Sequence, residues 1–154
     1  MKRQERYPET QTFRYYNANP KNRITGDCWC RAISTATGVP YNEVVMGMAK
    51  LHCETGYDAM ENITRYMQRI GWVRMPQPRH KNGRKYTGEE FCNVQQEWLG
   101  DIDNHGNEWD DNIVISPAIV ANIGGHHMVA IMDGKINDIW NSTGGCIGNY
   151  WIKW

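Results

Sequence analysis

A cysteine at the predicted start of a helix is the residue of this chain best suited to act as a nucleophile. Asp27 is a residue type that caps helices, and after Cys28 the apolar residues Trp29, Ala32 and Ile33 recur at helical spacing. The partial positive charge at a helix N-terminus lowers the pKa of a thiol and favours the thiolate. We therefore predict that Cys28 is a nucleophile; a small buried thiol without reactivity is the alternative at this position.

A histidine on a later predicted strand could serve as the base that such a nucleophile needs. His127 follows two glycines, which let a backbone or a substrate approach closely, and it begins an apolar run typical of a strand. Adjacent residues of a strand point to opposite faces of the sheet, so only one of His126 and His127 can face Cys28. We predict that it is His127, with a ring nitrogen roughly 3 to 4 Å from the sulfur.

A base also needs a third group to hold its tautomer, and the hairpin after His127 offers two candidates. Asp133-Gly134 is a strong signal for a tight turn between two strands. A two-residue turn puts Asp138 on the face of the sheet that carries His127. A three-residue loop with a glycine bulge shifts the register and places Asn141 opposite His127. The alternation of side chains along the two strands does not by itself decide between these registers.

The order and the neighbours of these residues resemble the papain-like cysteine peptidase superfamily. Three short segments are similar to its cysteine, histidine and asparagine motifs: Cys28-Trp29, His127-Met128-Val129-Ala130 and Ile139-Trp140-Asn141-Ser142. The resemblance is closer to small uncharacterised phage and bacterial members, which share patterns like Gly26-Asp27-Cys28 and Arg31-Ala32-Ile33. It implies a triad of Cys28, His127 and Asn141. It therefore favours the bulged hairpin, with Asp138 as the second choice for the third member.

The resemblance also implies a residue that stabilises the oxyanion. Asn22 lies six residues before Cys28, where the family carries the glutamine that donates to the oxyanion. The chain departs from the family pattern because this residue is Asn rather than Gln and no Cys-Gly-Ser run precedes Cys28. The interval between Cys28 and His127 is also shorter than in papain.

The elements that must position these residues come in the order helices first and sheet second. Helices are expected over residues 28–38, 41–51, 58–70 and 87–98, and strands over residues 72–75, 113–115, 118–121, 128–132 and 136–140, with a last strand in which Tyr150, Ile152 and Trp154 alternate. This order predicts an α+β, papain-like fold, in which N-terminal helices, one of them carrying Cys28, pack on a C-terminal antiparallel β-sheet. We expect residues 1–154 to form one domain, with residues 1–24 as an N-terminal arm or loop.

Composition excludes several classes of protein. The 154 residues, 40% of them hydrophobic, have room for one core. Seventeen Lys and Arg balance seventeen Asp and Glu, so no global basic field would hold a nucleic acid. No apolar leader follows Met1, no stretch is long enough to span a bilayer, and the five cysteines are an odd number. We therefore expect a cytoplasmic protein with free thiols that binds neither nucleic acid nor membrane; its oligomeric state stays open.

The predicted chemistry is acyl transfer on a peptide or protein substrate, without a cofactor. Water as the acceptor gives a peptidase or amidase, and an amine gives a transglutaminase-like or acyltransferase activity. The alternative is a catalytically inactive papain-like fold that binds a protein. No metal is expected, because the cysteine spacings match no zinc site. A calcium-like loop that begins at Asp101 has Asn112 where a glutamate is needed.

Overall fold

The computed structural model describes residues 1–106, 108–110 and 113–153. The helices are α1 (Arg3–Arg6), α2 (Cys28–Thr37), α3 (Tyr41–Thr55), α4 (Ala59–Arg69), α5 (Gly88–Leu99) and α6 (Ile102–His105). The strands are β1 (Phe13–Tyr15), β2 (Trp72–Met75), β3 (Glu108–Asp110), β4 (Ile113–Val114), β5 (Ala118–Ile123), β6 (His127–Met132), β7 (Lys135–Asp138) and β8 (Ile147–Lys153). None of the helices in this part of the chain is long and apolar enough to cross a membrane. Asn112 of the calcium-like loop and Trp154 of the last predicted strand lie outside the described residues.

A six-stranded sheet in the order β1-β7-β6-β5-β8-β2 organises the molecule. Its neighbouring strands are antiparallel except for β1 and β7, which are parallel. Strands β3 and β4 form a separate two-stranded sheet. The N-terminal helices pack on a mostly antiparallel C-terminal sheet, so the predicted α+β class is confirmed.

Both faces of the central sheet are covered, because successive side chains of β6 serve two different cores. Met128 and Ala130 pack in a cluster with the buried residues of α2, α3 and α4. Val129 and Ile131 pack in a second cluster with Phe91 and other residues of α5. The alternation of side chains along a strand thus places three helices on one face and one helix on the other. Helix α2 lies against β6, which brings the start of α2 to the start of β6.

Strand β8 also differs from its prediction, because both faces of the sheet are covered. The alternation of Tyr150 and Ile152 predicts one buried face, but Trp151 between them is also buried and packs in the cluster of α2, α3 and α4. A central strand covered on both faces is apolar at successive positions, which the alternation rule does not describe.

The N-terminal segment is more ordered than the predicted arm or loop. Residues 1–24 contain α1 and β1, and Phe13 of β1 is completely buried. Strand β1 pairs in parallel with β7, with Tyr15 beside Asp138, and the amide of Tyr16 donates to the carbonyl oxygen of Asp138. A strand of three residues is too short to show a hydrophobic periodicity, so the local sequence does not predict β1 or its pairing with β7. The segment fixes the end of β7.

The hairpin between β6 and β7 has a two-residue turn, so the predicted bulge with three loop residues is wrong. Met132 pairs directly with Lys135, and Ile131 pairs with Ile136. Asp133 and Gly134 have φ values of 57° and 70°, and positive φ at both central residues is the turn whose twist matches the flanking strands. Helix α5 holds the turn, because the amide of Gly134 donates to Oε1 of Gln95 at 2.7 Å. This register brings Asp138 to the side of His127.

Candidate active site

Cys28 is the first residue of α2 and lies half-buried where α2 meets the sheet. Its thiol interacts with the side chain of His127 and with the backbone of Met128, and both interactions favour the thiolate. Asp27, directly before the helix, does not cap it with its side chain. The positive end of the helix is therefore directed at Cys28 without a carboxylate on its first amides.

His127 is the first residue of β6, and its side chain is 19% exposed. Its Nε2 lies 2.5 Å from Oδ2 of Asp138, which leaves Nδ1 for the thiol of Cys28. The indole of Trp140 covers the imidazole, with 5.0 Å between the ring centroids. The structure thus brings together Cys28 and His127, on two elements that are distant in the sequence.

Asp138 is the last residue of β7 and is 2% exposed. Beyond its contact with His127, its Oδ1 accepts hydrogen bonds from Nη1 of Arg31 and from the amide of Ile139, both at 2.7 Å. Each carboxylate oxygen therefore has at least one donor, as a buried anion requires.

The pKa shifts at Cys28 and His127 favour a thiolate beside an imidazolium. Burial opposes the charged thiolate, but the hydrogen bond with His127, the backbone of Met128 and the charges of His127 and Arg31 hold the pKa of Cys28 below its ordinary value. Burial also opposes the imidazolium, but the hydrogen bonds and charges of Asp138 and Cys28 raise the pKa of His127 to about 9. Each shift favours the charged form of its group, so the thiolate and the imidazolium stabilise each other.

Two other thiols lie in environments that disfavour the thiolate. Burial, with the negative charge of Asp27, raises the pKa of Cys30 to about 11. Burial raises the pKa of Cys92 to about 12. Cys53 and Cys146 are exposed. Cys28 differs from the first two because a histidine offsets its burial.

Asn141, the favoured third member, has a different role from the predicted one. Its Oδ1 accepts hydrogen bonds from the amide of Thr143 at 3.0 Å and from the hydroxyl of Thr143 at 2.6 Å. This is an Asx turn, which shapes the loop after β7. The predicted hydrogen bond from His127 to Asn141 is therefore wrong, because the two-residue turn puts Asp138 at the imidazole instead.

Asn22, the candidate for the oxyanion, lies in the exposed loop before α2. Its backbone has a φ of 52°, its amide donates to the carbonyl oxygen of Asn19, and its Oδ1 accepts from Nδ2 of Asn17 at 3.4 Å. These contacts hold it within the loop. Its role at the oxyanion stays a prediction.

Arg31 is the residue of the site that sequence reasoning missed. It is 6% exposed, and it joins Asp138 on β7 to Asp27 directly before its own helix, with 2.8 Å between its Nε and Oδ1 of Asp27. The spacing of Asp27 and Arg31, four residues apart, is a signal for an ion pair along a helix. Nothing in that spacing shows that the pair is buried or that it reaches another element.

Two cavities are lined in part by residues of the β5–β6 turn, which precedes His127. One of about 180 Å³ is lined by Trp140, Ser142 and Gly124 among others. The other, of about 370 Å³, is lined by Asn122, Gly125 and residues of α4, β2 and β8. A larger cavity of about 520 Å³ lies at the far end of α2, about 13 Å along the helix from Cys28, and is remote from the thiol.

Comparison with known proteins finds no match for the chain. No protein-family model, no curated protein and no solved structure matches the chain. The functional interpretation therefore depends on the contacts of Cys28, His127 and Asp138.

Proposed function

We propose that the protein is a thiol-dependent acyl-transfer enzyme, most simply a peptidase or amidase. Cys28 would be the nucleophile, His127 the base and acid, and Asp138 the group that orients the imidazole. The observation that supports this proposal is that His127 interacts with the thiol of Cys28 and is hydrogen-bonded through Nε2 to the buried carboxylate of Asp138. Nucleophile, base and orienting group in contact are the signature of an activated nucleophile.

The resemblance to papain-like peptidases supports the same proposal. The order of cysteine and histidine along the chain, the helix that carries the cysteine and the strand that carries the histidine agree with that family. In this chain a carboxylate takes the place of the family's asparagine. A carboxylate holds the imidazolium more strongly than a neutral amide does, in agreement with the raised pKa of His127.

The reaction follows from the charges of the resting site. The thiolate of Cys28 attacks the carbonyl carbon of the substrate, which forms the C–S bond and moves the carbonyl electron pair onto oxygen. The imidazolium of His127 then gives its proton to the leaving group as the bond between carbon and leaving group breaks, which leaves an acyl thioester. His127 takes a proton from the acceptor as the acceptor attacks the thioester, and the thiolate leaves. Water as the acceptor gives hydrolysis, and an amine gives transfer.

The start of α2 would stabilise the oxyanion of this reaction. Cys28 is the first residue of the helix, so its amide is one of the groups without an acceptor inside the helix. Such an amide beside the nucleophile is a donor for the developing negative charge. Asn22 is the second donor that we propose, on the family resemblance.

A burst experiment with p-nitrophenyl acetate tests the proposal without knowledge of the substrate. We expect about one equivalent of nitrophenolate per protein in a rapid first phase, and an acetyl group on Cys28 by peptide mapping. Cys28→Ala should lose the burst, whereas Cys53→Ala, which removes an exposed thiol, should keep it. A folded protein without a burst, or with the acetyl group on another cysteine, would contradict the proposal and favour the alternative of a papain-like binding protein.

A further inference from the structure

We propose that Arg31 is a positioning residue, which holds Asp138 in the orientation that bonds His127 and thereby sets the distance between base and nucleophile. This inference rests on the proposed acyl-transfer function, and it adds a residue that the triad itself does not include. Arg31 would act through Asp138, so its effect should appear in the behaviour of Cys28 and His127.

The contacts of Asp138 show why its orientation needs a second partner. Its Oδ2 bonds His127, and its Oδ1 accepts from Nη1 of Arg31. A carboxylate that rotates about its Cβ–Cγ bond moves both oxygens together. The hydrogen bond from Arg31 to Oδ1 of Asp138 therefore also fixes Oδ2, which faces His127.

Arg31 is itself held from the opposite side. Its Nε donates to Oδ1 of Asp27, and Oδ2 of Asp27 accepts from the hydroxyl of Tyr41 at 2.6 Å and from Nδ2 of Asn19 at 3.1 Å. The planar guanidinium thus bridges two carboxylates, one of which is anchored to α3 and to the N-terminal loop. Arg31 has little freedom to follow Asp138 if that residue turns away.

The same helix carries the nucleophile and this cation. Cys28 and Arg31 are three residues apart on α2, about one turn, whereas Asp138 lies on β7 of the sheet. A shift of α2 along the sheet that moves Cys28 away from His127 would also break the pair of Arg31 and Asp138. The ion pair therefore couples the position of the nucleophile to the position of the base.

A gain in folding stability does not by itself explain the buried ion pair of Arg31 and Asp138. Side chains of Arg31 and Asp138 are 7% and 2% exposed, and a buried ion pair gains little over well-packed apolar residues because both charges lose their hydration. A role in the site explains why charged groups occupy this interface. The charged and ionisable groups that face the cluster are Asp27, Cys28 and Cys30 on or before α2, Tyr41 on α3, His127 on β6 and Asp138 on β7.

The test compares Arg31→Met and Arg31→Lys by the alkylation of Cys28 with iodoacetamide between pH 5 and 9. Arg31→Met removes the positive charge that Asp27 and Asp138 share, so the pH at which Cys28 becomes reactive should rise by about one unit, which is roughly tenfold slower alkylation on the acid side. Arg31→Lys keeps the charge but not the planar fork. It should shift the pH dependence of alkylation and slow acylation by p-nitrophenyl acetate less than Arg31→Met does, because the charge still holds Asp138 while the fork that fixes its orientation is lost.

Two further variants keep the test informative. Arg69→Met is the matched control, because Arg69 makes an exposed ion pair with Glu54 on the helices away from the site. The double variant Arg31→Met with Asp27→Asn removes one charge of each sign. We therefore expect it to fold even if Arg31→Met alone does not, and it should still lose acylation by p-nitrophenyl acetate. Folded Arg31 variants that keep the wild-type pH profile and acylation rate would overturn the proposal for Arg31. A wild-type protein without a burst would instead overturn the acyl-transfer function.

Discussion

The replacement of Asp138 by Asn tests which group orients His127. The amide has the shape of the carboxylate and can still accept from Arg31, but it has no charge. The pKa of His127 is about 9 because Asp138 and Cys28 outweigh its burial, and the ordinary value is 6.5. Without the carboxylate we expect the pKa of His127 to fall to its ordinary value or below. At pH 7.5 the imidazolium would then fall from most molecules to about one in ten, since each pKa unit is a factor of ten in the protonation ratio.

The loss of positive charge on His127 should also lower the reactivity of Cys28. Cys28 loses the cation that offsets its burial, so less thiolate forms at neutral pH. We expect alkylation of Cys28 by iodoacetamide at pH 7.5 to be about tenfold slower in Asp138→Asn, in proportion to the lost imidazolium. The assay combines a ¹⁵N NMR titration of the His127 ring with alkylation rates from peptide mapping.

Asn141→Ala is the matched control for this experiment. Its side chain bonds Thr143 in a turn of the loop, so its loss should leave the pKa of His127 unchanged. The reasoning is refuted if Asn141→Ala lowers the pKa of His127 while Asp138→Asn does not. That result would mean that the imidazole pairs with the amide in solution.

Three further predictions follow from single positions. Asn22→Gly tolerates the φ of 52° and should slow acylation by p-nitrophenyl acetate about a hundredfold while alkylation of Cys28 is unchanged; equal effects on both rates, or none, would exclude an oxyanion role. Gly134→Ala adds a Cβ that collides with Cγ of Gln96 at a φ of 70°, so urea unfolding should show a loss of more than about 1 kcal/mol in the free energy of unfolding. Gly144→Ala, with open space around the new Cβ, should show a much smaller loss. In a Cys28→Ser background, where Asp138 still raises the pKa of His127, the stability that His127 adds over His127→Ala should be full below pH 6.5 and should decline as the pH rises through that raised pKa, because a raised pKa stabilises the protonated form. A difference that grows with pH would contradict this sign.

The elements with local signals could be predicted from the sequence. Helix α2 begins at Cys28 and ends at Gly38, whose φ of 78° is the left-handed conformation that glycine adopts easily. Helix α5 begins after Thr87, which forms a capping box with Glu90. Helix α3 continues to Thr55, beyond the predicted 51, because the residue that ends it is Gly56. Strand β1 could not be predicted in this way, because its pairing with β7 depends on residues more than a hundred positions away.

The candidate site shows the same division between local and distant information. The helix start and the strand start carry Cys28 and His127, and both could be found from their neighbours in the sequence. Asp138 followed from the turn chemistry of Asp133-Gly134, but the family pattern favoured Asn141 and the wrong register. The role of Arg31 could not be predicted, because it depends on how α2 packs against β7.

The relative reactivity of the five thiols is the most direct test of the central claim that Cys28 is an activated nucleophile. The measurement is the rate of iodoacetamide alkylation of each cysteine in the native protein at pH 6 to 7, from peptide mapping. We predict that Cys28 reacts first although it is half-buried, ahead of the exposed Cys53 and Cys146, and that Cys30 and Cys92 react last because burial raises their pKa. Alkylation of Cys53 and Cys146 before Cys28, with Cys28 reactive at alkaline pH alone, would contradict the account.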